Sequence, residues 1–390
     1  MNRLVSLKYV DSYDYETIEN ELMKQFDEQG LFLKLKPKMK VMLKVCLNPS
    51  MAPDCAETTH PNIVCAIANI LTKFGASCEL IDSQTGKKYS IEGLDETYIT
   101  TGMLEVANMS KCTLNHNMKV IEIETPYARM RKNLILLEEI KNVDAIINVG
   151  KIKMDDCFGY IGATANLFGL VPGKVKDLYI NQCNNLGEFN EFLLDIYDII
   201  KDKIAINVLD GIVALEANKT QRMLSCLASS SDIFALDQAI LEILNINKEK
   251  TIISNAKNRG YDCLSKIKVF GDEYEKFKVE DFALVDFDNN KKIVDDKKRK
   301  KFFNLNQKRV EINALKCKGC SICSKICPVG AILMKYDKNE ELYAEIDYSK
   351  CVYCMKCQTA CPYLVTKMNI PIGYKKIMRD ISKFDTQQEN

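Results

Sequence analysis

The first 290 or so residues alternate short apolar runs with longer segments of helical periodicity. A run of about four to eight apolar residues is typical of a buried strand, and apolar side chains spaced three or four residues apart form one face of a helix. On this basis the sequence predicts strands at 40–47, 78–81, 120–123, 145–149 and 204–209. It predicts helices at 60–74, 96–107, 129–140, 189–201 and 232–244.

The predicted helix at 60–74 has clear end signals. Pro61 suits its first turn, where a missing N–H group costs no hydrogen bond within the helix. Thr59 or His60 is the expected N-terminal cap. Gly75 is the expected stop, because glycine readily adopts the left-handed conformation that follows a last helical turn.

Strands that alternate with helix-length segments indicate an α/β fold, because two neighbouring parallel strands need a crossover of about a dozen residues or more. We therefore expect an N-terminal domain with a largely parallel sheet and flanking helices. In such a sheet the ligand occupies a crevice at the carboxyl ends of the strands.

Polar residues follow the predicted strands at this end of the sheet, in segments 44–48, 82–83, 151–156 and 210–211, with Glu216 beyond. Any single one is ordinary for a loop, but together they predict a binding crevice. Chemistry there would need a proton donor, and of two adjacent carboxyl groups one can have a raised pKa. The candidate catalytic or binding residues are Lys44, Lys153, Asp155, Asp156 and Asp210.

Near the C-terminus the pattern Cys-x2-Cys-x2-Cys-x3-Cys-Pro occurs at 317–328 and again at 351–362, displaced by 34 positions. In this pattern the three closely spaced cysteines of one loop bind one iron–sulfur cluster, and the cysteine before proline binds the other cluster. A zinc ribbon would need only two Cys-x2-Cys pairs. The predicted ligands are Cys317, Cys320, Cys323 and Cys361 for one 4Fe-4S cluster, and Cys351, Cys354, Cys357 and Cys327 for the second.

From about residue 309 to residue 367 the sequence resembles the bacterial-type two-cluster ferredoxin domain, a small α+β unit. The resemblance implies electron transfer between two nearby clusters. After the first Cys-Pro, the segment 329–332 supplies a glycine turn, whereas Tyr363, Leu364 and Val365 follow the second. This departure alters the packing near one cluster and removes no ligand.

Composition narrows the class of protein further. The net charge of +1 gives no overall field that would select nucleic acid or an anionic membrane. The chain lacks an apolar stretch of about 18 residues, and residues 1–10 lack the apolar core of a secretory signal, so we expect a cytoplasmic protein. With 17 cysteines, 2 histidines and no tryptophan, cysteine is the expected metal ligand.

Nine cysteines lie outside the repeat, and most are expected to be small core residues. Cys46, Cys55 and Cys157 fall in predicted loops on the crevice side. They could supply a third metal site or a reactive thiol, although their spacing is not that of a ligand motif. The segment from Gly169 to Lys174 is one residue too short for a phosphate-binding loop, so its glycines are expected to allow close approach of the backbone to a neighbour.

Several segments of the first 290 residues resemble the domain of unknown function 362 family: 58–61, 81–83, 151–153, 166–173, 210–212 and 228–237. That family is often fused to such a ferredoxin module in anaerobic bacteria and archaea. The resemblance implies an iron–sulfur redox protein of unassigned substrate. Asp155 stands where the family commonly has histidine and Ala165 where it has lysine. The loss of cations and the added carboxylate predict a ligand less anionic than the family norm.

The predicted organisation is an α/β domain at 1–288, a charged linker at 289–308, the ferredoxin domain at 309–367 and a tail at 368–390. The linker is expected to be a solvated connector, with a docking strip for an acidic redox partner as the alternative.

Three functions remain open at this stage. In the first, the two clusters relay electrons from a donor or acceptor protein to a small-molecule substrate or cofactor in the crevice, which makes the protein an iron–sulfur oxidoreductase. In the second, the chain is an electron carrier or assembly partner that docks on another enzyme. In the third, the crevice catalyses a non-redox reaction and the clusters are structural.

Overall fold

The computed structural model describes residues 3–48, 51–83, 90–125, 127–285, 288–294, 309–352 and 354–387. Of the predicted linker, residues 295–308 lie outside the described residues. The start of the linker is fastened to the N-terminal domain. The carbonyl oxygens of Asn289 and Lys291 accept hydrogen bonds from the backbone N–H groups of Gly187 and Leu186, each at 2.8 Å.

The described strands of the N-terminal part are β1 (Leu4–Tyr9), β2 (Lys40–Lys44), β3 (Ser77–Ile81), β4 (Thr113–Leu114), β5 (Val120–Glu124), β6 (Asn133–Leu137), β7 (Ala145–Asp155), β8 (Gly159–Ile161), β9 (Ile204–Leu215), β10 (Gln221–Ser230) and β11 (Lys268–Gly271). Nine of them form one sheet in the order β11-β1-β10-β9-β7-β2-β3-β4, with β8 paired to β7. Strands β9, β7, β2, β3 and β4 are parallel to their neighbours in this series, and β10 is antiparallel to β1 and β9. The largely parallel α/β fold is thereby confirmed.

The helices of this part are α1 (Tyr15–Glu28), α2 (Leu31–Lys34), α3 (Pro61–Phe74), α4 (Ile91–Thr100), α5 (Met103–Met109), α6 (Glu139–Asn142), α7 (Ala163–Asn166), α8 (Gly173–Ile180), α9 (Leu186–Ile200), α10 (Ile233–Ile243) and α11 (Ile252–Asn258). The apolar residues of α1, α3 and α5 form one core with the sheet. Those of α8, α9 and α10 form a second core. The site described below lies where the parallel strands end between these two layers.

Helix α3 begins and ends where the sequence predicts. The ring nitrogen Nδ1 of His60 accepts a hydrogen bond from the backbone N–H of Asn62 at 3.2 Å, which identifies His60 as the cap. At the other end Gly75 has a φ of 90°. The apolar face predicted for this helix is buried against the sheet.

The prediction of a helix at 129–140 is wrong. Strand β6 occupies its centre and pairs antiparallel with β5, outside the main sheet. The cause lies in α9, where the buried carboxylate of Asp195 accepts hydrogen bonds from the backbone N–H groups of Arg129, Met130 and Arg131 at 2.9–3.1 Å. Three consecutive N–H groups that point to one carboxylate hold the chain in a turn that leads into a strand.

Two other predicted elements differ in extent. The helix predicted at 96–107 is divided into α4 and α5 at Gly102, whose φ of 74° interrupts the helical backbone. Strands β7 and β9 run six residues beyond the predicted ends at 149 and 209, to Asp155 and Leu215. Lys151 and Lys153 are therefore strand residues two positions apart, on one face of β7.

The C-terminal part contains β12 (Arg309–Ile312), α12 (Ile322–Ile326), β13 (Ile332–Tyr336), β14 (Leu342–Ile346), α13 (Lys356–Thr359), β15 (Thr366–Asn369) and α14 (Ile372–Gln387). Strand β12 pairs antiparallel with β15, and β13 pairs antiparallel with β14. Strand β15, the last strand of this small α+β unit, ends at Asn369. Helix α14 packs on α8, with Tyr374 only 7% exposed in the N-terminal core. Among the described residues, no helix has the length and apolar character needed to cross a membrane.

We expect Asp195→Ala to lower the free energy of unfolding by about 3–5 kcal/mol, because it leaves three backbone N–H groups without their acceptor and removes one of the three carboxylates that pair with Arg259. Urea unfolding followed by circular dichroism measures the change. Glu242→Ala is the control, since Glu242 forms an exposed ion pair with Lys248 and should cost less than about 1 kcal/mol. Equal losses in the two variants would contradict this role of Asp195.

Candidate functional site

The segment that begins with α7 is held in place by a buried carboxylate. Asp237 of α10 accepts hydrogen bonds from the backbone N–H groups of Ala163 and Thr164 at 2.7 and 2.9 Å, and from the Thr164 hydroxyl at 2.6 Å. A Cβ atom at Gly162 would lie 2.3 Å from Asp237 Oδ1, so only glycine fits there. This contact fixes where the following residues reach the sheet.

Asn166 and Gly169 then meet the end of β2. The Asn166 amide donates to the Lys44 carbonyl at 3.1 Å and accepts from Lys44 Nζ at 3.3 Å. Gly169, in the 3-10 turn Leu167–Leu170, lies so close to the sheet that an added Cβ would be 2.0 Å from Asp82 Oδ1 and 2.3 Å from Lys44 Nζ. The close backbone approach expected of the glycines in this segment is thus confirmed at Gly169.

Lys44 and Asp82 form a buried ion pair at the carboxyl ends of β2 and β3. Their Nζ and Oδ1 atoms are 3.1 Å apart, and the Lys44 side chain is fully buried. Asp82 also accepts hydrogen bonds from the backbone N–H groups of Leu47 at 2.7 Å and Ser83 at 2.8 Å. Both oxygens of its carboxylate are therefore engaged by its present neighbours.

A second buried pair joins β7 to β9. Lys151 Nζ is 2.8 Å from Asp210 Oδ2, and it donates to the Tyr13 hydroxyl, which in turn donates to Asp210 Oδ1 at 2.8 Å. Burial lowers the pKa of Lys151, and the Asp210 charge opposes that shift. Burial also lowers the pKa of His60 to about 4, so this ring, stacked on Tyr13, is neutral at physiological pH.

The outer end of β7 carries a third lysine. Lys153 Nζ lies 3.3 Å from Glu57 Oε2 and donates to the Glu57 carbonyl at 2.7 Å. Burial works against the charge of Lys153, but Cys46 and Glu57 outweigh it and the pKa is raised. Glu57 also pairs with the half-exposed Lys219 at 2.8 Å.

A fourth lysine reaches the same place from α8. Lys176 is only 6% exposed, and its Nζ donates to the Ser83 carbonyl at 2.5 Å and lies 5.5 Å from the centre of the Phe168 ring. Burial lowers its pKa to about 8, with Asp82 opposing the shift and Lys44 adding to it. The thiol of Cys46 is within electrostatic reach of Lys151, Lys153 and Lys176 alike.

We call the group formed at the strand ends by Lys44, Lys151, Lys153 and Lys176 with the carboxylates Asp82, Asp210 and Glu57 the crevice. It brings together some of the predicted residues and not others. Lys44, Lys153 and Asp210 lie in it. Asp155 and Asp156 lie in the turn between β7 and β8, where the Asp155 carboxylate accepts the backbone N–H groups of Cys157 and Phe158 and Asp156 is exposed.

Sequence reasoning missed Tyr13, Glu57 and Lys176, which come from segments far from the strand ends. The one local sign of the lysine cluster is the spacing of Lys151 and Lys153 by two residues. It indicates a shared face only if β7 continues past the predicted end at 149. Of the crevice-side cysteines, Cys46 is buried among the lysines, Cys55 is half-buried and Cys157 is exposed.

The cysteines of the repeat surround two cavities. The smaller cavity is lined by Cys317, Cys320, Cys323 and Cys361, and the larger one is lined by Cys327, Cys351, Cys354 and Cys357. Within the described ranges, no three Cys, His, Asp or Glu side chains converge closely enough to hold a single metal ion. Thiols spaced around a cavity fit a cluster of several atoms, because a tetrahedral zinc would draw its ligands to about 2.3 Å.

The backbone repeats along with the cysteines. Ser321 and Met355, 34 residues apart, both have a φ near 60° and precede the short helices α12 and α13. Gly330 and Leu364 are also 34 apart, with φ values of 61° and 51°. The second half therefore places a leucine in the left-handed conformation for which the first half uses glycine.

The larger cavity lies against the N-terminal domain. Val352 is 1% exposed, and its carbonyl oxygen accepts a hydrogen bond from the backbone N–H of Lys132 at 3.2 Å. At the smaller cavity Cys320 is exposed, and so are Ile322 and Tyr363. The two cavities thus have different surroundings, one at a domain contact and one at the surface.

A family model described as Domain of unknown function (DUF362) matches residues 41–242, and one described as 4Fe-4S dicluster domain matches residues 316–365. These matches establish two 4Fe-4S clusters and an electron-transfer role for the C-terminal domain. The chain is 27% identical over 255 residues to a thylakoid-associated protein of Synechocystis sp.. The aligned residues cover 63% of this chain and 76% of that protein.

Two other similarities are narrower. Over 41 residues the chain is 49% identical to one of the selenate reductase subunits of Mesobacillus selenatarsenatis. These residues are 10% of this chain and 13% of that protein. The lactate racemase apoprotein of Thermoanaerobacterium thermosaccharolyticum matches with a TM-score of 0.38 and 14% identity, over 62% of this chain and 57% of the other.

We expect Gly169→Ala to destabilise the protein by about 3 kcal/mol or more, because the added methyl group cannot coexist with the buried Lys44–Asp82 pair. The urea midpoint measures the effect. Gly260→Ala is the matched control, since Gly260 has a φ of 90° and open space around it, so its cost of about 1–2 kcal/mol is conformational alone. A smaller loss for Gly169→Ala than for the control would rule out this close contact.

Leu364→Gly should raise the stability of the C-terminal domain by about 0.5–1 kcal/mol, because it relieves the left-handed backbone of a side chain that is 78% exposed. The urea midpoint for loss of the visible absorbance of the clusters is the measurement. Leu315→Gly, at a 96% exposed leucine without positive φ, should lower that midpoint instead. A decrease in both variants would show that Leu364 carries no backbone strain.

Proposed function

Because the chain belongs to the family described as Domain of unknown function (DUF362) and carries a 4Fe-4S dicluster domain, we propose that its two clusters relay electrons to a substrate or cofactor in the lysine-lined crevice. The observation that carries this proposal is the contact of the larger cysteine cavity with the N-terminal domain, through Val352 and Lys132. On this proposal the protein is an iron–sulfur oxidoreductase.

The ligand sets follow the two cavities. Cys317, Cys320, Cys323 and Cys361 hold one cluster, and Cys327, Cys351, Cys354 and Cys357 hold the other. Each cluster supplies one electron at a time when bound. The exposure of Cys320 supports the first as the place where a donor or acceptor protein exchanges electrons, and the buried Val352 supports the second as the one that faces the crevice domain.

Helix α8 contacts both the crevice and strand β6. Lys176 extends from it into the crevice, whereas Tyr179 accepts a hydrogen bond from the backbone N–H of Ile135 in β6 at 2.8 Å. Strand β6 follows directly after Lys132, and α14 packs on α8 from the C-terminal side. One helix therefore touches both the crevice and the elements next to the larger cavity.

The crevice residues divide into groups that can bind the substrate and groups that can transfer a proton. Lys44 and Lys153 are ammonium groups that can bind and orient a substrate. Lys151, Tyr13 and Asp210 form a hydrogen-bonded chain in which Lys151 can give up a proton, because burial lowers its pKa. Asp155 is bound at its own turn, so the proton donor expected from the Asp155–Asp156 pair is assigned to Lys151 instead.

The same proposal places the protein in the cytoplasm. Thiols that bind an iron–sulfur cluster must stay reduced, and the cytoplasm keeps them so.

Reoxidation of the reduced protein tests the relay. The reconstituted full-length protein, reduced anaerobically with titanium(III) citrate, is mixed with a panel of neutral carbonyl compounds and of carboxylates, and cluster absorbance is followed. We expect a panel compound to reoxidise the wild type, and Lys44→Met to slow that reaction at least tenfold at unchanged iron content. Lys203→Gln is the control, because Lys203 binds the carbonyls of Ile140 and Val143 away from the crevice.

Two results would point to the other functions. If no panel compound reoxidises the protein but a separate redox enzyme does so in a stable complex, the chain is a carrier. If a crevice reaction proceeds equally with oxidised and reduced clusters, the clusters are structural.

A further inference from the structure

The crevice contains four buried lysines, but only three carboxylates pair with them. Three of its lysines are each matched by a carboxylate, in the pairs Lys44–Asp82, Lys151–Asp210 and Lys153–Glu57. Lys176 has no carboxylate within salt-bridge distance among the described residues. Its polar contact is the Ser83 carbonyl, with the Phe168 ring on another side.

An ammonium group in this position is costly. Removing such an ion from water carries a penalty that one carbonyl contact does not offset. Asp82, the carboxylate that acts most strongly on Lys176, already binds Lys44 and two backbone N–H groups. The other buried groups that act on Lys176 are the Lys44 charge, which repels it, and the Cys46 thiol. The described part of the crevice therefore lacks one negative charge.

We propose that this charge comes from the ligand, and that the crevice binds a small anion, a carboxylate or phosphate group. The anion lies against Lys176, near Cys46, which also interacts with Lys151 and Lys153. This inference rests on the proposed function in one respect, since it takes the ligand to be the redox substrate. Lys44 sets the inner limit of the site, because Asn166 and Gly169 hold it against Asp82.

The sequence departure at Asp155 does not oppose an anion. The Asp155 carboxylate accepts hydrogen bonds from the backbone N–H groups of Cys157 at 2.8 Å and Phe158 at 2.9 Å, so it serves the β7–β8 turn.

The binding should depend on pH. Lys176 has a pKa of about 8 in the folded protein and 10.5 as its ordinary value. Between these values the unfolded chain holds a proton that the folded chain has lost, so stability rises with pH through this window, and below pH 8 the buried charge is destabilising. The groups that face Lys176 are Asp82 from β3, Lys44 from β2, Cys46 from the loop after β2, and Asp177 of its own helix. Anion affinity should be highest below pH 8 and fall about tenfold per pH unit above it.

The test measures binding without electron transfer. Calorimetry and thermal shift are carried out on the reconstituted full-length protein with acetate and with inorganic phosphate, from pH 6.5 to pH 9.5. We expect one of the two anions to bind with the pH dependence given above, and Lys176→Gln to weaken it at least tenfold. Lys203→Gln should bind as the wild type does, because its ammonium group also contacts only carbonyls but lies outside the crevice. Acetate and phosphate distinguish a carboxylate ligand from a phosphorylated one.

Three outcomes would overturn the inference: no binding of either anion, equal affinity in Lys176→Gln, or affinity that does not change with pH. If Lys176→Gln fails to fold, the pH dependence of the wild type still decides. Rapid alkylation of Cys46 by iodoacetamide at pH 7, with no anion binding, would identify a Cys46 thiolate as the missing charge instead. Anion binding without reoxidation by any panel compound would reject the redox proposal and keep the anion site. Reoxidation by neutral compounds, with no binding of either anion, would reject the anion site and keep the redox proposal.

Discussion

The buried carboxylate of Asp237 is the contact on which the N-terminal site depends. Asp237 accepts hydrogen bonds from the backbone N–H groups at the start of α7. It thereby positions Asn166 and Gly169 against the ends of β2 and β3. The fit at Gly169 leaves no room for a methyl group, so Lys44 and Asp82 have a single arrangement. The remaining lysines of the crevice are arranged around this fixed inner end.

Two centres of different chemistry result from this architecture. The cysteines of the C-terminal unit surround two cavities, and the lysines of the N-terminal domain collect positive charge at the carboxyl ends of parallel strands. Helix α8 contacts the crevice through Lys176 and strand β6 through Tyr179, and β6 follows directly after Lys132, which contacts Val352 at the larger cavity.

Local signals were reliable where a residue acts on its own neighbours. The ends of α3 follow from Pro61 and Gly75, because capping involves only the adjacent turn. The segment 129–140 has helical periodicity and yet forms a strand, because Asp195, more than fifty residues away, takes up the N–H groups that a helix would need. Lys176 was missed for the same reason: its role depends on which strands α8 crosses.

The sequence by itself determined the two-cluster domain and the α/β class. Cluster ligation depends on short cysteine spacings, and sheet class depends on the alternation of strand and helix patterns, so both are written locally along the chain. Only the tertiary structure decided that four lysines share one buried crevice with three carboxylates, and that the larger cysteine cavity faces the N-terminal domain. Charge balance in a buried site is a property of residues distant in sequence, because burial makes each ion depend on the partners that folding brings to it.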